Sequence, residues 1–117
     1  MRYSMEKQKE AVSKLLEALP ELQSSYAEHL ADNGGELLPY TYFPDAVRDA
    51  QKQLRLDLLP PNFLDRFAST IEMLLDWDPG AHDLVGLGII DELKETDFWQ
   101  AIYPKLGPKS RAVAAES

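Results

Sequence analysis

The chain contains no cysteine. Disulfides, thiol catalysis and thiolate zinc sites are thereby excluded, and a cytoplasmic setting is the default expectation. No apolar run approaches the length needed to cross a bilayer, so no membrane span is expected. The opening "MRYSMEKQKEAV" lacks the apolar core of a secretory signal, and none is expected. Bases are outnumbered, 12 Lys and Arg against 20 Asp and Glu, for a net charge of −8. That sign opposes a phosphate backbone, so nucleic-acid binding is not expected.

What is present suffices for one folded body. A chain of 117 residues can bury a sizeable core but is too short to divide into two. Its hydrophobic fraction of 44% argues against global disorder. The negative charge is unevenly placed. Residues 57–97 hold ten acids (Asp57, Asp65, Glu72, Asp76, Asp78, Asp83, Asp91, Glu92, Glu95 and Asp97) against Arg66 and Lys94, and the rest of the chain is balanced. One contiguous third therefore supplies the whole excess, which points to a cationic protein partner or to an acidic face that serves solubility.

Periodicity predicts an all-α single domain, residues 1–117, of about five or six helices arranged as a bundle or as stacked hairpins. Val12, Leu15, Leu16 and Leu19 mark a first helix, with Ser4 as N-cap and Pro20 at its end. Leu22, Tyr26 and Leu30 mark a second, closed by Asn33, Gly34 and Gly35 and paired with the first as a hairpin. "ELLPYTYFPD" follows, three aromatics between two prolines, with some strand admitted over "LPYTYFP". Pro44 is expected at the first position of the next helix, with Asp45 in its first turn and Val47, Ala50 and Leu54 inward. An extended segment ahead of that helix would place Tyr40 and Tyr42 on one side and Phe43 on the other. Asn62 is the expected N-cap of a helix burying Phe63, Phe67, Ile71, Leu74 and Leu75. "DLVGLGIIDELKE" is apolar on most sides, as a helix enclosed by others would be, and Gly86 and Gly88 suit a close neighbour. Asp97 is the expected cap of a last short helix, and residues 112–117 are expected to fray.

Catalytic chemistry finds little support. There is no G-x-S-x-G and no phosphate-cradling glycine loop followed by lysine. Ser25 and His29 are helical neighbours, but the expectation for His29 is a solvated or capping residue near a helix C-terminus. Asp76, Asp78, His82 and Asp83 in "DWDPGAHD" could serve a small metal-dependent or acid/base enzyme, although the spacing fails the EF-hand loop and a zinc site would need a second soft ligand. The expectation is no enzyme, no cofactor and no bound metal. The binding features are Tyr40, Tyr42 and Trp77 as aromatic anchors, with Asp76, Asp78, Asp83, Asp91 and Glu95 as carboxylates for a basic partner surface. For both tryptophans, Trp77 and Trp99, partial burial in the core is the bland expectation that stands against a contact role.

"AEHLADNGGELLPYTYFPDAVR", "GLGIIDELKE" and "YPKLGPKSR" together resemble a family of small bacterial α-helical domains of unknown function, over residues 10–111. The resemblance implies an immunity or antitoxin protein of a bacterial toxin system; taken with the acidic segment, the expectation is that it neutralises a cationic toxin, as a monomer or homodimer. It carries no catalytic residue. Its matching positions are Leu38, Pro39, Tyr40, Phe43 and Asp45 in the first motif, and Leu106, Gly107, Pro108, Ser110 and Arg111 in the last. The chain departs from the family in its "DPGAHD" turn and its non-aromatic tail. A structural or homo-oligomeric subunit is the remaining alternative.

Overall fold

Ser4 opens the first helix as the spacing predicts: its hydroxyl accepts the Lys7 N–H at 3.2 Å, and α1 runs Met5–Ala18. The computed structural model describes residues 4–116. Pro20 then enters a short 3₁₀ turn, Pro20–Leu22, that leads into α2, Gln23–Asp32. Gly34 and Gly35 take φ of 64° and 85°, and the Gly35 N–H closes the helix on the Leu30 carbonyl at 2.7 Å. The expected α1–α2 hairpin does not form as a packed pair. A groove lined by Lys9, Ser13, Tyr26 and Leu30 lies between them, while α1 packs on the later helix α4 and α2 on α3.

The aromatic stretch is helical, and α3 spans Pro39–Arg55. This corrects the expected start at Pro44, the strand admitted before it, and Asp45 in the first turn. Pro39 occupies the first helical position, where its missing N–H is not needed. The Leu38 carbonyl then receives the Tyr42 N–H at 2.8 Å. Pro44 lies inside the helix and removes the bond to the Tyr40 carbonyl. That loss falls near the helix end and next to an exposed residue, and the turn it permits buries Tyr42 and Phe43 completely.

α4, Phe63–Trp77, buries all five predicted apolar residues. Asn62 stands at its N-cap position but its side chain caps no backbone N–H; its Oδ1 accepts from the Arg66 Nε–H at 3.4 Å instead. The glycine-containing segment is one continuous rod: α5, Ala81–Val85, a π turn, Gly86–Ile90, and α6, Asp91–Lys94. A Cβ at Gly88 would stand 3.0 Å from Phe43 Cβ, so the glycine sets how closely α3 approaches. After it come α7, Trp99–Ile102, and a 3₁₀ turn, Tyr103–Lys105. Phe98, not Asp97, is the N-cap residue of α7; Asp97 pairs with Arg55, and its N–H donates to Gln51 Oε1 at 2.7 Å.

The expected frayed tail is a helix. α8, Pro108–Glu116, buries Ser110, Val113 and Ala114; Ser117 lies outside the described residues. Its N-terminus is capped from across the fold. Glu72 on α4 accepts the N–H groups of Lys109 and Ser110 at 3.1 and 2.9 Å, and the Ser110 hydroxyl at 2.8 Å. No strand occurs among the described residues, and one core joins the helices. The radius of gyration, 13.3 Å, matches about 13 Å expected for a single body of this length.

Candidate partner-binding surface

The Ser25–His29 neighbours are structural. His29 is buried rather than solvated, and it caps the helix that follows, not its own. Its Nε2 accepts the Leu38 N–H at 3.0 Å, so in the neutral ring the proton sits on Nδ1, facing Asp45 Oδ2 at 3.7 Å. The lone pair a general base would use is thereby occupied. Ser25 Oγ donates to the Leu22 carbonyl at 2.7 Å and lies 3.1 Å from the Tyr42 hydroxyl. Ser25, His29 and Tyr42 together fasten α2 to α3. Burial pushes the Tyr42 phenol up to about 12.

The acidic turn is dispersed in the same way. Asp76 pairs with Lys109 at 3.0 Å. Asp78 accepts the Gly80 N–H at 2.9 Å and lies 3.9 Å from the Lys7 amine. His82 stands between Asp83 at 3.4 Å and Glu116 at 3.0 Å. Among the described residues no group of three or more His, Cys, Asp or Glu is placed to share a metal ion. The ligand set considered from the sequence is therefore not assembled.

The contiguous acidic segment does not make a contiguous acidic face. Asp65 meets Lys105 at 2.6 Å, Glu92 meets Arg48 at 3.0 Å, and Asp97 meets Arg55 Nε at 2.6 Å. With Asp76 and Asp78, these carboxylates take bases from the balanced remainder of the chain. Among the described residues Asp83, Asp91 and Glu95 form no ion pair with lysine or arginine, and neither does Glu116.

Three of those four come together, Glu116 among them. Asp83 and Asp91 line a shallow depression of about 200 Å³ with His82, Gly86, Leu87, Val113 and Glu116. Asp83, Leu87 and Asp91 are spaced by four residues. A step of four overshoots an α turn of about 3.6 residues and undershoots the wider i→i+5 turn of a π-helix. The π turn at Gly86–Ile90 therefore cancels the drift that would carry Asp91 round the rod. Leu87 stands between the two acids, 62% exposed. Glu95 follows one step further, just beyond α6.

The other expected contacts lie elsewhere. Tyr42 is 0% exposed, which corrects its assignment as a contact: helical geometry turns it inward with Phe43. Tyr40 is 42% exposed and lines none of this depression. Trp77 is half-buried, and the Lys7 and Lys14 amines sit over its ring at 5.1 and 5.0 Å, so its face is already covered. Asp76 faces a separate depression with Met73 and Lys105. Sequence reasoning missed Leu87, hidden in a run read as enclosed, and Glu116, assigned to a frayed end. The signal for Leu87 was its place midway between Asp83 and Asp91. Comparison with protein-family models, curated proteins and solved structures finds no match in any of the three.

Proposed function

We propose that the chain is a non-catalytic protein-binding domain of the immunity type, neutralising a cationic bacterial toxin through the acidic face of the α5–α6 rod and the end of α8. One observation carries this reading. Asp83, Asp91 and Glu116 surround an exposed leucine without a lysine or arginine partner, while most nearby acids are paired within the fold. Asp83 and Glu116 share only His82 between them, and the mutual repulsion of the three carboxylates is a modest liability that a basic partner would relieve. The likeness of "GLGIIDELKE" to the immunity-type family falls on the same rod. On this reading the protein acts in the cytoplasm. No helix among the described residues is long and apolar enough to cross a membrane.

The test is co-expression with the product of the adjacent reading frame, affinity capture, and association kinetics at several salt concentrations. A complex whose on-rate falls about tenfold or more from low to high salt is expected for an electrostatically steered encounter. Absence of a complex, or an on-rate indifferent to salt, overturns the reading.

A further inference from the structure

We infer that the partner element received by this face is an amphipathic basic helix, carrying an apolar or small residue with a lysine or arginine one turn to either side. The inference rests on the acidic-face reading and adds to it the form of the occupant. The face is a lane with two unlike walls. One wall is the stripe Asp83–Leu87–Asp91 on the α5–α6 rod; the other is Val113 and Glu116 on α8, with His82 between the ends. Its floor is low because Gly86 has no side chain, and Val113 Cγ1 lies where a Cβ would meet it at 3.1 Å.

The stripe is linear and regular. Asp83 and Asp91 are eight residues apart, about 12 Å at the rise of a helix, with the apolar Leu87 midway. A second helix lying along the lane repeats its own side chains at the same interval, so bases at positions i−4 and i+4 meet both carboxylates while residue i packs on Leu87. An extended strand repeats on one face about every 7 Å, so its second step reaches about 14 Å and overshoots the roughly 12 Å between the acids, where a helix is in register. A single inserted arginine would need an enclosed hole, whereas Leu87 projects between the acids with 62% of its surface exposed. Glu116 adds a third carboxylate across the lane, which favours a base on the flank of the same helix.

The probe is a capped, alanine-based helical peptide of 15 residues with lysines at i−4 and i+4 of a central leucine. Its control is an isomer of identical composition with the lysines moved to other faces. Each is titrated into the full-length ¹⁵N-labelled protein at low salt and followed by amide shifts. The in-register peptide should perturb the amides of Asp83, Leu87, Asp91, Val113 and Glu116 and bind about tenfold tighter than its isomer, as paired charges on one face require. Asp83→Asn with Asp91→Asn should keep the fold and abolish that difference, whereas Leu87→Ser, at an exposed position, should weaken both peptides alike. Equal affinity of the two peptides at these same amides overturns the helical register while the acidic-face reading stands. Perturbations outside the lane, or none, overturn both.

Discussion

Tyr40 and Tyr42 are two residues apart and have opposite fates, because α3 starts one turn earlier than the aromatic stretch suggests. Tyr42 packs edge-on against Tyr26 at 5.7 Å and places its hydroxyl near Ser25 and the Leu22 carbonyl. Tyr42→Ala should lose about 3–5 kcal/mol of stability, as other large aromatic truncations in cores do. Tyr40→Ala should stay within about 0.5 kcal/mol. Urea denaturation of the two single variants separates them. Glu72 is the second residue whose role only the fold discloses. Burial pushes its carboxyl up, but the hydrogen bonds from Ser110 and Lys109 and the nearby Lys109 ammonium outweigh it and hold the group below its ordinary value of 4.5. A carboxyl lowered by folding contributes stability in full above its unfolded value, and that contribution fades as pH falls through the folded one. Glu21, held down mainly by its hydrogen bond from Arg66, adds to the same acid limb. Glu72→Ala should therefore lose about 1–2 kcal/mol at neutral pH, the range for a lost helix cap, and show a shallower loss of stability below pH 4.5. A pH series of urea midpoints checks both.

At the scale of the element, the sequence pattern carried the helices whose apolar residues recur without proline: α1, α2 and α4 lie where periodicity puts them. It failed where local chemistry was ambiguous. Two prolines in "LPYTYFP" each look like a helix start, and only the packing of Tyr42 and Phe43 decides for Pro39. It failed again at α8, whose N-terminus is capped by Glu72, 38 residues before Ser110 and invisible to any local window. The candidate face was half legible: Asp83 and Asp91 were marked by charge, whereas the alignment of Leu87 between them depends on a π turn that the spacing alone does not announce. Two glycines test this packing. Gly88→Ala gains about 1 kcal/mol of helix propensity, but its Cβ would stand 3.0 Å from that of the fully buried Phe43, where overpacking costs about 1–3 kcal/mol. A net loss of stability in thermal melts is expected. Gly107 faces the cap directly, since a Cβ there would lie 2.5 Å from Glu72 Cδ. Gly107→Ala should push that carboxylate off α8, so combined with Glu72→Ala the two losses should fall clearly short of additive in a double-mutant cycle.

For the molecule as a whole, the charge carried by residues 57–97 is redistributed by folding. Lys7, Arg48, Arg55, Lys105 and Lys109 come from outside the segment to neutralise much of it, and their exposed pairs add little stability individually. Three acids left without a lysine or arginine partner meet at the lane between the α5–α6 rod and α8. None of the three acids there belongs to the hydrophobic core, so binding and folding are separable at this site. The association rate of D83N/D91N with the co-expressed neighbouring product, set against the unsubstituted chain at low ionic strength, tests this most directly. An on-rate reduced about tenfold is expected, within the range electrostatic steering supplies, with the melting temperature unchanged. An unchanged on-rate would contradict it.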